Sequence, residues 1–250
     1  LNQIRLFKPS YFVITNYLVY IKVKSKIKNK KIKIYNNFSE IPSKLIFDIT
    51  IAAIVGIAGL EPTIQFSKKS KKILLANKES IICGWHILSK IIKKNKTELI
   101  PIDSEHFSIN QLTQNYTDSD IKKIYITASG GPFLRRPIRS FKKIKPNAAC
   151  KHPNWNMGKK ISVDSSTMMN KIFEIIEAKK IFNIPYKKLS IIIHPKSYVH
   201  AILKFKNGLT KIIVHDTNMK IPIFNSLYST NKVINSRKLD LKILNNLNFQ

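Results

Sequence analysis

Apolar residues fall into short runs separated by polar clusters, and the period of the runs changes along the chain. Before residue 40 the apolar pieces 11–14, 17–23 and 32–35 stand between Lys-rich segments, which predicts two or three strands joined by turns. Residues 47–55 are β-branched and apolar almost throughout, the pattern of a strand buried on both faces. Gly56-Ile57-Ala58-Gly59 closes that run, and residues 60–69 read as a helix with Pro62 in its first turn. A strand at 73–76 leads into Asn77-Lys78-Glu79-Ser80 and a helix to about residue 94. Further strands at 99–102, 124–127 and 189–193 run into polar clusters, and 203–205 with 210–214 forms a hairpin around Asn207-Gly208.

The richest stretch is 150–178. Residues 152–160 hold Pro153 and Gly158 without a helical period and predict an exposed loop. From Asp164 an apolar stripe at Met168, Met169, Ile172, Phe173 and Ile176 predicts a helix. Its opposite face carries Asn170, Lys171, Glu174 and Glu177. Ser165 and Ser166 then fall at the helix start, where unpaired N–H groups favour an anion.

Alternating strands and helices argue for an α/β fold with a largely parallel sheet. The polar clusters lie just past strand ends, where open α/β sheets place ligands. The Lys-rich segment 22–33 predicts an exposed loop or edge.

Composition changes this picture in one respect. The 44 basic and 14 acidic residues give a net charge of +30, although 44% hydrophobic and 23% charged residues is an ordinary globular balance. Such a charge admits a nucleic-acid or anionic-membrane partner. The lysines are nevertheless scattered through nearly every segment, so substitution drift accounts for them, and a phosphorylated small molecule is the expected anionic partner. Cys83 and Cys150 lack metal or redox spacing and read as free thiols. The longest apolar run, 49–60, is too short to span a bilayer. No signal-peptide pattern appears, and a first residue of Leu admits a fragment or a clipped start.

Acids are scarce enough for a cluster to carry weight. Asp103 and Glu105 follow a strand directly and can converge on a hard divalent cation if Glu174 supplies a further oxygen; a solvated turn is the competing reading. Ser129-Gly130-Gly131-Pro132 forms either a backbone nest for a phosphate or a plain turn. Lys78 is a site residue or one more surface lysine. His152, His194 and His200 are too dispersed for a zinc motif. Trp155 and Met157 sit in a lid over a ligand or in a loop anchored by its Trp, and the Asn170–Lys171–Glu174 face reads by default as solvent-exposed.

Taken in order, these motifs resemble the 1-deoxy-D-xylulose 5-phosphate reductoisomerases of the non-mevalonate isoprenoid pathway. The resemblance is carried by Ala52–Leu60 as Ala-Ala-Ile-Val-Gly-Ile-Ala-Gly-Leu, Leu75-Ala76-Asn77-Lys78-Glu79-Ser80 and Pro101-Ile102-Asp103-Ser104-Glu105-His106. Ser129-Gly130-Gly131-Pro132-Phe133, His152-Pro153-Asn154-Trp155-Asn156-Met157-Gly158, residues 164–174 and His194-Pro195 with Ser197 and His200 complete it. It implies a partial Rossmann-like NADPH domain (1–102), an α/β catalytic domain (103–230) and the start of a linker (231–250). It further implies rearrangement of 1-deoxy-D-xylulose 5-phosphate and its reduction by NADPH to 2-C-methyl-D-erythritol 4-phosphate, with Mg²⁺ or Mn²⁺ and possible use of Co²⁺.

By the same resemblance Asp103, Glu105 and Glu174 match metal ligands. Ser104, Ser129, His152, Ser165, Asn170, Lys171, Trp155, Ser197 and His200 match substrate-side positions. Lys78, Lys171 and His152 match the catalytic group, and Asn77, Lys78, Glu79, Met157 and Met219 the cofactor side. The resemblance also implies a homodimer at full length, neither a nucleic-acid nor a membrane partner, and a bacterial-type cytoplasmic or plastid-like location. The family's Gly-rich cofactor turn and its C-terminal helical domain have no counterpart among these residues, and His215, Thr217 and Asn218 depart from its usual residues. The expectation is therefore a piece of a reductoisomerase that lacks NADPH-dependent turnover by itself. The alternatives are a decayed remnant that still binds metal and phosphate, or a basic nucleic-acid-binding domain.

Overall fold

The β-branched runs assemble into three sheets. In the computed structural model, which describes residues 1–155, 158–228, 232–234 and 241–247, two sheets are parallel and one is mixed. β1 (Tyr11–Val13) pairs in parallel with β2 (Lys33–Tyr35). β3 (Phe47–Ala52), β4 (Ser70–Leu75) and β5 (Glu98–Pro101) form a parallel sheet in that order. β6 (Ile121–Ala128), β7 (Leu189–Ile193), β8 (Val199–Phe205) and β9 (Thr210–Val214) form a sheet of order β7-β6-β8-β9. Only β6 and β7 run parallel there; the β8–β9 hairpin and its pairing to β6 are antiparallel, so the expectation of a largely parallel sheet holds for the first two sheets alone.

The helices are α1 (Asn2–Phe7), α2 (Tyr17–Lys24), α3 (Leu60–Ser67), α4 (Lys78–Asn95) and α5 (Ser104–Thr113). They continue with α6 (Pro146–Ala149), α7 (Lys159–Ser166), α8 (Met169–Phe182), α9 (Lys220–Leu227) and α10 (Leu241–Leu244). Residues 17–23 are thus helical rather than a strand. Asn16 caps the segment by accepting the Val19 N–H, and α2 supplies the crossover that two parallel strands require.

Two further expectations are corrected. The run 47–55 is not buried on both faces: the strand ends at Ala52, and Ile49 and Ile51 are 37% and 48% exposed. β3 pairs with β4 alone among the described strands, which leaves one of its edges open. The helix read from Asp164 is two helices, broken where Met168 adopts φ 62°. Ser165 and Ser166 consequently end α7 instead of starting a helix, so no dipole argument for an anion attaches to them.

α5 and α8 cover one face of the mixed sheet, with Ile109, Leu112 and Ala178 packed on Ile124, Ile126, Ala201 and Leu203. A second core joins β3 and β4 to α4 through Ala52, Ile73, Leu75, Ile81 and Leu88. Asn77 locks the turn above it. Its side chain accepts from the Ser80 N–H at 2.7 Å and donates to the carbonyls of Ile54 and Gly56, and a Cβ on Gly59 would stand 2.5 Å from the Ile54 carbonyl oxygen. The strand ends β4 and β5 therefore deliver Lys78 and Asp103 to one place.

Candidate active site

Asp103 is the N-cap of α5, and its Oδ1 accepts the Glu105 N–H at 3.3 Å. Both carboxylates thus lie at the positive end of a helix dipole. Glu174 arrives from α8, and one oxygen from each of Asp103, Glu105 and Glu174 lies within 4.8 Å of the others. The polar face of α8 points inward: Lys171, Glu174 and Glu177 are buried, while Met169 and Ile172 are 41% and 46% exposed. This reverses the default reading of an amphipathic helix.

Two lysines hold the carboxylates together. Lys78 Nζ lies 2.6 Å from Asp103 Oδ2, 3.5 Å from Glu174 and 3.7 Å from Glu177. Lys171 Nζ lies 2.8 Å from Glu105 and 2.5 Å from Glu174. Burial would lower both lysines, but the surrounding carboxylates outweigh it and hold both well above the ordinary ammonium range. The same carboxylates thus favour the ammonium form of both. Burial pushes Glu174 up to about 7, with Lys171 opposing and Glu105 assisting. Beneath the cluster, His106 donates from Nε2 to the Glu174 main-chain carbonyl at 2.9 Å. Burial alone would depress His106, yet Glu177 and Asp103 raise it to about 9.

The acidic set suits a hard divalent cation. It offers three oxygen ligands from rigid helix positions, two of them at one helix start, and an excess of negative charge once Glu177 is included. Asn170 donates to Glu174 Oε1, while its own Oδ1 is buried without a partner. Such an orphaned acceptor is costly unless a ligand donates to it.

A second group of small polar residues lies alongside. His152 Nδ1 accepts the N–H groups of Asn154 and Trp155 at 3.1 and 2.9 Å, so its proton resides on Nε2, 3.0 Å from Ser129 Oγ. Burial lowers the His152 pKa, with Lys171 adding to the effect, which favours that neutral form. Ser129 Oγ also accepts the Gly131 N–H at 3.1 Å, which leaves its hydroxyl proton to donate to an anion. Gly131 has φ 69°, and a Cβ there would stand 2.7 Å from the Ser165 carbonyl oxygen. That close approach brings the 129–132 loop against the end of α7.

The adjoining segment 152–155 is pinned twice. Asn154 Nδ2 donates to the Pro195 carbonyl at 2.5 Å and to Ser197 Oγ at 2.8 Å. Trp155 meets His200 edge-to-face at a centroid distance of 6.0 Å.

A cavity of about 320 Å³ unites these groups. Lys78, Asp103, Ser104, Glu105, Ser129, His152, Trp155, Ser165, Asn170, Lys171, Glu174, Ser197, His200 and Met219 all line it. Asn77 and Glu79 do not: Asn77 is buried in its backbone clamp, and Glu79 pairs with Lys160 at 3.0 Å. Met157 lies outside the described residues. Sequence reasoning assigned no role to His106, Glu177 or Asn154. His106 adjoins Glu105, and Glu177 follows Glu174 by the helical interval that puts both on one face, so a signal existed for these two. The Asn154 contacts cross more than 40 residues and left no local trace.

Parallel strands ending in a carboxylate–lysine centre, with Ser129, His152 and Trp155 beside it in one cavity, define an α/β protein with a candidate cation site. A 1-deoxy-D-xylulose 5-phosphate reductoisomerase family model matches residues 1–84, and the model of that family's C-terminal domain matches 99–182. The 1-deoxy-D-xylulose 5-phosphate reductoisomerase of Pelagibacter ubique is 52% identical over 256 residues, covering 100% of this chain and 66% of its own length. That of Wolbachia pipientis wMel is 42% identical, with 100% and 64% covered. Among solved structures, a DOX-P reductoisomerase in complex with NADPH, fosmidomycin and magnesium superposes with a TM-score of 0.88 at 34% identity, covering 100% of this chain and 65% of that one. The enzyme from Zymomonas mobilis in complex with NADPH gives 0.86 at 31%, with 96% and 63% covered. The chain belongs to the 1-deoxy-D-xylulose 5-phosphate reductoisomerase family, and it spans about two thirds of the length of these curated relatives.

Proposed function

We propose that this chain carries the metal, phosphate and lid residues of an enzyme that rearranges 1-deoxy-D-xylulose 5-phosphate and reduces the product to 2-C-methyl-D-erythritol 4-phosphate. The observation that carries the reading is the convergence of Asp103, Glu105 and Glu174 with Lys78 and Lys171 at one cavity wall. Asp103, Glu105 and Glu174 would hold Mg²⁺ or Mn²⁺, whose chemistry is to polarise a ketone and neutralise charge that develops on neighbouring oxygens. NADPH would supply hydride. Met219 and Ala76 line the cavity and offer apolar surface to a nicotinamide, and Asn77 fixes the turn that presents Lys78.

The remaining roles belong to the chain's own residues. Lys171 and Lys78, whose ammonium forms the neighbouring carboxylates favour, bind and stabilise the substrate's oxygens as charge accumulates. The Asn170 Oδ1 accepts a hydrogen bond from a substrate hydroxyl. Ser129 and Ser165 take the phosphate, with neutral His152 orienting the Ser129 hydroxyl so that its proton faces the anion. Ser104 donates to Glu105 Oε2 at 2.6 Å and fixes that carboxylate. Trp155, with Asn154 at its base, closes over the ligand and excludes water.

We place the boundary between the cofactor and catalytic parts at 102/103, where β5 gives way to the Asp103 cap. The outer face of the mixed sheet, with Tyr125, Ile202 and Ile212 aligned across three strands, is our candidate for a homodimer contact. No described helix is long and apolar enough to cross a membrane. The bacterial relatives support a cytoplasmic site of action.

The test is direct. The full-length polypeptide containing this chain, given substrate, NADPH and Mg²⁺, should consume NADPH and form the branched tetritol phosphate, and the chain itself should bind fosmidomycin only when Mg²⁺ is present. Absence of both activities would sink the proposal.

A further inference from the structure

The antiparallel β8–β9 ladder pairs Val199 with Val214 and then Ala201 with Ile213, so His200 is the extra residue of a bulge and its side chain meets that of His215, the residue just past Val214. Their rings stack with centroids 3.7 Å apart and planes inclined by 17°. His200 lines the cavity, whereas His215 is buried behind it with the Phe107 ring edge-on at 6.4 Å. Trp155 of the lid rests edge-to-face on His200. The four rings form a continuous aromatic column from Trp155 to Phe107 on α5.

Hydrogen bonding fixes both imidazoles. His200 Nε2 lies 3.3 Å from the main-chain oxygen of His215, and a carbonyl only accepts, so His200 carries its proton on Nε2. His215 Nδ1 lies 2.7 Å from the Asp216 carbonyl and carries its proton there. The Nε2 atom of His215 is then an acceptor, buried with no hydrogen-bond partner. A buried ring nitrogen without a partner costs stability, so hydrogen bonding by that atom does not explain the residue. What the ring does supply is a flat plate at stacking distance from His200, and its main chain supplies the acceptor that sets the His200 tautomer.

We propose that His215 is a positioning residue: its ring and main-chain carbonyl fix His200 against the cavity and, through His200, seat Trp155 of the lid. The inference deepens the reading of this cavity as a lidded ligand site and rests on it. His200 is thereby presented to the ligand in one orientation with its unprotonated Nδ1 defined, and lid closure acquires a rigid surface to close upon.

The test uses the full chain with Trp85→Phe, which leaves Trp155 as the one remaining indole of the two in the sequence. His215→Leu should make Trp155 several-fold more accessible to acrylamide quenching and weaken fosmidomycin binding about tenfold, with Mg²⁺ affinity unchanged. His215→Phe, which keeps the plate, should restore both. Unchanged quenching in His215→Leu, or a folded His215→Phe as defective as His215→Leu, would overturn the assignment. In the unmodified chain, nitrogen NMR of the histidines should show His200 as the Nε2–H and His215 as the Nδ1–H form; the opposite tautomers would also overturn it. If the parent chain binds no fosmidomycin, the proposed activity is what fails, and quenching and tautomers still decide the role of His215.

Discussion

The ammonium of Lys78 stands 2.6 Å from Oδ2 of Asp103, and this pair joins the first turn of α4 to the cap of α5. Burial alone would raise the Asp103 carboxyl, but Lys78 and His106 override it and hold Asp103 well below the usual carboxylate range. Asp103→Asn removes a native charge that the fold stabilises and takes from Lys78 its nearest counter-charge. It should lower the melting temperature by several degrees and weaken Mg²⁺ binding at least tenfold, as thermal denaturation and calorimetry would show. An unchanged melting temperature would mean that Lys78 finds compensation elsewhere.

Glu174 should behave oppositely in the absence of metal. Its folded pKa of about 7 lies above the ordinary value of 4.5, so the folded state binds the proton more tightly than the unfolded one. Stability from that preference is complete below pH 4.5 and is lost as pH rises through 7. Glu174→Gln removes the penalty. The melting temperature of the metal-free variant should exceed that of the parent, by a margin that widens from pH 5 to pH 8. Saturating Mg²⁺ should reverse the order, because the variant lacks the third ligand. A margin that shrinks with pH would refute the assignment.

Gly131→Ala probes the cradle. A left-handed φ of 69° and a Cβ 2.7 Å from the Ser165 carbonyl oxygen leave no room for a side chain without moving α7 or the 129–132 loop. The expected cost is about 1–3 kcal/mol of stability, from backbone strain plus overpacking. Fosmidomycin affinity should fall with it, while Mg²⁺ binding at the separate carboxylate set persists. Equal loss of both ligands would indicate global unfolding instead.

Much of this arrangement is legible in the sequence, and the exceptions have physical causes. Asn77 three residues before Ser80 marks the start of α4, and Asp103-Ser104-Glu105 marks both a cap and a cation site, because capping is a local matter of unpaired N–H groups. The inward turn of Glu174 is not local. Helical period shows which residues share a face, but carboxylates that pair with lysines from other elements reverse which face is buried. The break at Met168 carries neither Gly nor Pro, so no residue type announces its left-handed φ. The run at β3 looks doubly buried because apolar content says nothing about how many partners a strand has. The His200–His215 stack depends on hairpin register, which no short motif encodes.

Asn154 gives the sharpest test of the lid. Its Nδ2 donates to both the Pro195 carbonyl and Ser197 Oγ, and Ser197 sits at φ 58°, a backbone state that a non-glycine residue adopts only under constraint. Asn154→Ala deletes two hydrogen bonds, worth about 0.5–1.5 kcal/mol each, from one end of the lid without touching the metal ligands. The ligand-bound lid should therefore be less stable by about 1–3 kcal/mol, which is a roughly 5- to 150-fold weaker hold on a phosphorylated ligand. In the full-length enzyme this loss should appear chiefly in KM, because Lys171, Lys78 and the carboxylates that stabilise developing charge remain in place. A fall in kcat with KM unchanged would instead place Asn154 in the reaction itself, and would require the lid to be more than a cover.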